Sequence, residues 1–218
     1  MGQVLVQLIP LALAAAVSTV PITAAIFILL SERRVVIAIP FLFGWVIGTA
    51  AGLTLATLAA HALPSRPKQL SSLIGRLEIL LGIALLVVGL ITLVRNQRVA
   101  PSERPGWIES IGSFGALPAL GIGLALNLRP KALLLFTAAS LAITGGHLDA
   151  SETLLAIAVY TAVATSTVTA PALATVFFPD RMEPRLIAAR DWITAHGSAV
   201  TGVVLVLVGV VVLVLGIV

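Results

Sequence analysis

Long apolar stretches alternate with short polar connections along the whole chain. A helix that crosses a bilayer needs about 20 mostly apolar residues. The stretches that reach this length cover residues 3–30, 35–61, 71–94, 115–145, 152–178 and 198–218. The connections between them are too short to hold a soluble domain. The pattern therefore predicts an all-α integral membrane protein, with six transmembrane helices in a single domain over residues 1–218.

The two halves of the chain share spaced residues, which indicates an internal repeat. Pro21, Phe27 and Ser31 of the first stretch have counterparts at equal spacing in the fourth, which are Pro130, Phe136 and Ser140. Glycine also recurs at every seventh residue in the third and sixth stretches. These glycines are Gly75, Gly82, Gly89, Gly202, Gly209 and Gly216. The alternative is that glycine is simply common in membrane helices.

An odd number of spans in each half would place the second half in the membrane with the opposite orientation. We therefore predict two inverted three-helix repeats, about residues 1–95 and 115–218, joined by a cytoplasmic linker over residues 96–114. Inverted repeats of this kind occur in many secondary transporters.

Composition agrees with a membrane protein and sets its orientation. The chain is 59% hydrophobic and 10% charged, with a mean hydropathy of +1.14. These values exclude a soluble enzyme, a disordered chain and a coiled coil. Eight basic residues lie in the first, third and fifth connections and three lie on the opposite side. The positive-inside rule then predicts that both termini lie outside the cytoplasm.

Several classes of chemistry are not expected. The absence of cysteine excludes disulfides and thiolate sites. The basic residues that produce the net charge of +4 form no basic face with interleaved aromatics, so nucleic-acid binding is not expected. His61, His147 and His196 lack metal-ligand spacing. Phosphate-cradling loops, nucleophile elbows and paired catalytic carboxylates are missing too, so the sequence predicts neither an enzyme nor a bound cofactor.

Two of the predicted spans carry a proline near their middle, Pro21 in the first and Pro130 in the fourth. Proline removes a backbone donor and clashes with the carbonyl four residues back. The freed polar groups need partners in a medium without water, and Ser18, Thr19 and Asn127 are close in sequence. Helices broken at matching positions mark the binding site in many transporters. The alternative is a tolerated structural kink.

Charged residues inside the apolar stretches are the most unusual feature. Arg129 and Lys131 are flanked on each side by fourteen apolar or small residues. A charge at that depth costs several kcal/mol unless it is paired or hydrated. We expect both to face a polar cavity, an anionic substrate group or a carboxylate; the alternative is snorkelling to the cytoplasmic side. Glu78 is predicted at the outer interface, as a proton-linked carboxylate, or in an ion pair with either cation.

Hydroxyl groups form a stripe in the fifth span. Thr161, Thr165 and Thr169 are four residues apart and share a helix face, and Ser166 and Thr167 lie beside them. The stripe is predicted to line a pathway or to hydrogen-bond across helices.

Glycine is spaced for close helix contact in the second span. Gly44, Gly48 and Gly52 repeat a small-xxx-small pattern, which predicts close packing within a protomer or between protomers.

Four short stretches resemble the GAP/Sap family, the glycopeptidolipid- and sulfolipid-addressing proteins of actinobacterial envelopes, within the lysine-exporter (LysE) superfamily. They are STVP at 18–21, FGWVIG at 43–48, NLRPK at 127–131 and STVTAP at 166–171. The resemblance covers essentially the whole chain. It implies a multi-pass protein of the bacterial inner membrane that moves envelope glycolipids outward.

One departure from the family pattern concerns the fourth span. The superfamily usually has a contiguous Asn-Pro-Lys there, whereas Leu128 and Arg129 separate Asn127 from Pro130 in this chain. The insertion shifts the asparagine along the helix and adds a second positive charge. An identical binding geometry is therefore not implied.

Together the residues and the resemblance predict a secondary transporter that works by alternating access on an envelope lipid or another amphipathic anionic or polar molecule. The predicted site combines Ser18, Thr19, Pro21, Asn127, Arg129, Pro130, Lys131, Thr165, Ser166 and Thr169. An exporter of amino acids or cations and a non-transporting subunit of a lipid-export machine remain alternatives. The predicted partners are the bilayer and the substrate. A second copy of the chain, as a homodimer, and an envelope-lipid export protein are further possible partners.

Overall fold

The structure of the protein is a computed structural model that describes residues 1–62, 68–96 and 115–217, with some side chains excepted. All regular elements in these ranges are helical, as predicted. The helices are α1 (Gly2–Ala16), α2 (Thr19–Leu29), α3 (Arg34–Ala62), α4 (Lys68–Asn96), α5 (Ala116–Ala125), α6 (Pro130–Gly145), α7 (Ala150–Phe177) and α8 (Pro179–Ile217). A 3₁₀ turn at Leu126–Leu128 links α5 to α6.

The described residues contain two to four candidate membrane spans. Val36–Ala62 in α3 and Ala150–Thr175 in α7 are each long and apolar enough to cross a bilayer. The pair α1 and α2, bent by 51°, and the pair from α5 to α6, bent by 63°, each count as one further span if taken together. Helix α4 covers the third predicted stretch and carries a shorter apolar segment, Ile79–Val94, and the second half of α8 lies in the sixth stretch.

The first and fourth predicted spans are both broken, although the prolines do not kink a continuous helix. Helix α1 ends at Ala16, and Pro21 is the third residue of α2. Pro130 is the first residue of α6. Proline is tolerated in a first helical turn because its missing N–H would have no partner there. The two prolines therefore begin half-helices, and they occupy different helical positions, so their equal spacing is not a structural equivalence.

Helix α8 is much longer than the predicted sixth span. Residues 179–197, which the sequence pattern places in a connection, form its first half. One face of this half carries Leu186, which is buried, and the partly buried Met182, Ala189 and Ile193. Their helical spacing explains the extension, because the apolar stripe packs into a cluster built from α2 and α3.

Glycines allow α3 to approach the broken fourth span closely. A Cβ atom added at Gly44 would meet the carbonyl of Leu120 in α5. The same atom at Gly48 would meet the side-chain amide of Asn127, and at Gly52 the ring of Phe136. The three glycines thus face α5 and α6 within one chain, where backbone and side chains fill the space that a methyl group would need.

Helices α4 and α8 pack through paired glycines. A Cβ atom at Gly89 would lie 3.0 Å from the Gly202 carbonyl oxygen, and one at Gly209 would lie 3.0 Å from the Gly82 carbonyl oxygen. Residue numbers rise along one helix as they fall along the other, so the two helices run antiparallel. The heptad spacing of glycine in both stretches therefore serves a common contact.

Candidate functional site

The breaks in the first and fourth predicted spans face each other, and Arg129 and Lys131 connect them. The ammonium of Lys131 donates to the Val17 carbonyl over 3.3 Å. The guanidinium of Arg129 donates through Nη2 to the Ser18 hydroxyl over 3.2 Å, and through Nε to the Leu126 carbonyl over 3.0 Å. Both cations thus bind the ends of half-helices.

Helix geometry explains why cations collect at this point. The last carbonyls of a helix have no partner within it, and the C-terminus carries a partial negative charge of about half an electron. At the end of α1, Lys131 binds the Val17 carbonyl, and the Thr167 hydroxyl of α7 donates to the Ala16 carbonyl over 2.7 Å. The break that follows α1 is therefore held by side chains from α6 and α7.

A small cavity lies beside this junction. Its volume is about 20 Å³, which is room for roughly one water molecule. Polar side chains line it together with small and apolar ones, and the principal polar residues are Ser18, Trp45, Asn127, Arg129, Lys131 and Tyr160. In this structure the cavity is too small for a lipid headgroup.

Two lining residues that sequence reasoning missed have polar groups without partners. The Trp45 side chain is 5% exposed and the Tyr160 side chain is fully buried. Within the described part of the chain, neither the indole N–H nor the phenol O–H has a hydrogen-bond partner. A buried polar group without a partner costs free energy, so such groups in a cavity indicate a ligand or water. Tyr160 is the chain's single tyrosine and lies in an apolar run. This is the one sequence feature that could have indicated it as a site residue.

Asn127 lines the cavity, and its amide also holds the break in the fourth span together. Its Nδ2 donates to the Gly123 carbonyl over 3.1 Å, and its Oδ1 accepts a hydrogen bond from the Thr49 hydroxyl over 3.0 Å. The side chain is 4% exposed. Most of its hydrogen-bonding capacity is therefore used within the protein, which makes Asn127 a link between the 3₁₀ turn and α3.

The predicted hydroxyl stripe does not line the cavity. Thr165 is buried and donates to the Thr161 carbonyl, while Ser166 is exposed and donates to the Val163 carbonyl. Thr169 has a buried hydroxyl without a partner in the described residues. Thr167, which was not among the predicted site residues, is the hydroxyl that reaches the break. Thr19 faces a separate apolar pocket.

The sequence analysis also considered Glu78 and a possible metal site. The side chain of Glu78 lies outside the described residues, so neither its placement at the interface nor its pairing with the two cations is described. Among the residues that were described, no cluster of three or more His, Asp or Glu side chains is arranged to hold a metal ion.

Comparison with known proteins identifies one family. The family model described as Sap, sulfolipid-1-addressing protein, matches residues 8–218. No curated protein and no solved structure matches the chain significantly.

Proposed function

The chain belongs to the Sap, sulfolipid-1-addressing protein, family, and from that premise we propose that it is a secondary transporter of an amphipathic anion. The substrate class is an envelope lipid with an anionic headgroup. The site is the junction of the two breaks, and the mechanism is alternating access.

The donor-rich lining of the cavity is the observation that carries this proposal. Lys131 and Arg129 supply positive charge, and Trp45 and Tyr160 supply N–H and O–H donors without partners. The described lining residues include no carboxylate. Such a lining favours an anion and disfavours a bare cation, because two cations at close range repel a third. This argues against the cation-exporter alternative.

The contacts of Lys131 suggest how the headgroup enters. In the closed state, the Lys131 ammonium donates to the Val17 carbonyl at the negative end of α1. An anionic headgroup carries a full charge and replaces that carbonyl as the stronger partner. Because the cavity holds about one water molecule when closed, the half-helices must separate at the breaks to admit the headgroup.

Helix contacts support the proposed six-span arrangement as two inverted repeats. If the halves are exchanged by a two-fold rotation, α4 and α8 change places, and so do the paired Gly82 and Gly209. Symmetric contacts of this type are what an inverted repeat produces, with the substrate site at the repeat interface.

The remaining parts of the proposal follow the sequence. The distribution of basic residues supports termini outside the cytoplasm, in a bacterial inner membrane. The proposal includes no catalytic step, cofactor or nucleic acid. A homodimer or an export partner is compatible with it, and proton coupling through Glu78 is one candidate driving force.

The test is lipid translocation in proteoliposomes that contain the purified protein alone. The probe is fluorescently labelled phosphatidylglycerol, which is anionic, and labelled phosphatidylcholine is the zwitterionic comparison. We expect Lys131→Ala and Arg129→Ala each to slow phosphatidylglycerol movement by about tenfold or more, as expected for loss of a charge-assisted hydrogen bond. Arg185→Ala removes an exposed cation of α8 and is the matched control.

The outcomes separate the candidate functions. No movement of either lipid by the wild-type protein contradicts autonomous lipid transport and favours the accessory-subunit alternative. Movement that is unchanged in both cavity variants contradicts the anion site. If an imposed proton gradient changes the rate in wild-type protein but not in Glu78→Gln, proton coupling through that carboxylate is supported.

A further inference from the structure

A second, larger pocket lies between α2 and the first half of α8. Its volume is about 360 Å³. The residues that define it, called the apolar pocket below, are Val17, Thr19, Ile22, Ala189, Trp192, Ile193 and Val200. Thr19 is the one residue of this group with a hydroxyl, and the rest of the lining is hydrocarbon or aromatic. The extension of α8 forms one wall, so the pocket depends on the part of α8 that the sequence placed in a connection.

The apolar pocket and the cation-lined cavity are on opposite sides of the same three residues. Ser18 is extended, with φ −105° and ψ 112°, and successive side chains of an extended chain point to opposite sides. Ser18 accordingly lines the cavity, whereas Val17 and Thr19 line the apolar pocket. The carbonyl of Val17 meanwhile binds Lys131. The break in the first span is thus a thin wall between a charged site and an apolar one.

The chemistry of the two spaces matches the two parts of one amphiphile. Apolar cavities in proteins stay dry and bind apolar groups, so water is a poor occupant of the larger pocket. The smaller cavity offers positive charge and free donors. Trp192 lines the pocket and is 54% exposed, so the pocket reaches the surface of the protein there. A molecule with a charged end and a hydrocarbon end has one part suited to each space, and the headgroup enters its space when the half-helices separate.

We propose that the apolar pocket binds one acyl chain of the transported lipid while its anionic headgroup engages Lys131 on the other side of the wall at Val17 and Thr19. This proposal rests on the proposed function and adds a second binding site to it. It also gives the extension of α8 a role, because α8 and α2 together hold the acyl chain of the lipid as the headgroup enters.

Photolabelling of the full-length protein in nanodiscs tests the acyl-chain site. The probe is a palmitate analogue with a diazirine on its chain, and mass spectrometry locates the label. We expect saturable labelling of the peptides that contain Ile22 and Ile193, with competition by unlabelled palmitate. Ala189→Phe fills the pocket and should reduce this labelling about tenfold or more. Ala188→Phe, at an exposed neighbour outside the pocket, should leave it unchanged.

A second variant tests the same site if Ala189→Phe does not fold. The chain has no cysteine, so Ile193→Cys carries a unique thiol. Saturating palmitate should slow its reaction with N-ethylmaleimide about fivefold or more, by occupying the pocket. Absence of protection, or labelling spread evenly over the lipid-facing helices, overturns the acyl-chain site.

Charge dependence links the pocket to the cavity. Lys131→Ala should weaken labelling by the palmitate analogue and leave labelling by the matching diazirine hexadecanol unchanged, because only the former carries an anion. Equal labelling by palmitate in both proteins overturns the shared site. If the wild-type protein fails to transport phosphatidylglycerol but its pocket is still labelled, the result contradicts the proposed transporter and not the pocket. If Ala189→Phe loses the labelling but transports lipid at the wild-type rate, the result contradicts the role of the pocket and not the transporter.

Discussion

Replacing Gly48 by alanine tests a close contact between α3 and the broken fourth span. The added Cβ would lie 2.5 Å from Asn127 Nδ2 and 3.4 Å from the Leu124 Cα. Neither the amide nor the α5 backbone is free to move, because Asn127 is 4% exposed and donates to the Gly123 carbonyl. The substitution therefore forces apart the helices that form one side of the cavity.

The expected loss of stability follows from two effects. Overpacking a tight site costs about 1–3 kcal/mol. Displacing the Asn127 amide also weakens its hydrogen bonds to Thr49 and Gly123, and each such bond in a membrane protein is worth about 0.6 kcal/mol. The gain of roughly 1 kcal/mol from replacing glycine within a helix acts in the opposite direction. This gain is also present in a suitable control.

Gly121→Ala is that control, since Gly121 lies in α5 and a Cβ there meets nothing within 4 Å. Because the helix-propensity gain cancels in the comparison, Gly48→Ala should be less stable than Gly121→Ala by about 2–4 kcal/mol. The measurement is reversible unfolding in mixed detergent micelles, followed by circular dichroism. Equal unfolding midpoints for the two variants would refute the packing of α3 against the fourth span.

Three further substitutions test the site and its supports. Tyr160→Phe removes a hydroxyl without a partner, so the free energy of unfolding should stay the same or rise by about 1 kcal/mol. Phosphatidylglycerol transport should become slower. Unchanged transport would exclude the phenol from the site. Thr167→Val leaves the Ala16 carbonyl unpaired and should cost about 1 kcal/mol in the same unfolding measurement, whereas Ser166→Ala on the exposed side should cost nothing. A backbone N–H in the first turn of α7 and a serine hydroxyl hold the pKa of the Asp149 carboxyl below its usual range, so its capping contribution is present above a pH of about 4 and lost as pH falls through the lowered pKa. Asp149→Ala should thus lower the thermal midpoint at pH 7 and have no effect at strongly acidic pH, with Asp149→Asn as the control that retains an N-cap.

The apolar pattern predicted a helical protein, and the prolines indicated breaks in the first and fourth stretches. Uninterrupted hydrophobic runs can satisfy their backbone polar groups in lipid only as helices, and this depends little on which neighbours pack against them. The sequence also singled out Arg129 and Lys131, because a charge within an apolar run is costly wherever the helix lies. These two residues do meet the first break.

Other site residues could not be predicted because they depend on which helix faces are brought together. Trp45 and Tyr160 look like ordinary membrane-helix residues until the packing leaves their polar groups without partners. The threonine that reaches the break is Thr167 instead of its neighbours Thr165 and Thr169, since a rotation of α7 by part of a turn decides which hydroxyl meets the Ala16 carbonyl. Periodicity identifies a stripe and does not identify its partner.

By itself, the sequence determined a helical membrane protein with breaks in its first and fourth apolar stretches and with two cations beside the second break. Those features arise from local hydrophobicity, proline chemistry and the cost of charge in lipid, which act along the chain. Only the tertiary structure decided that the end of α1 is the partner of Lys131, that α8 extends far beyond its apolar run, and that a charged cavity and an apolar pocket share the wall at residues 17–19. Each of these depends on contacts between segments distant in sequence, and the energy of such contacts is set by the shape and orientation of the packed helices.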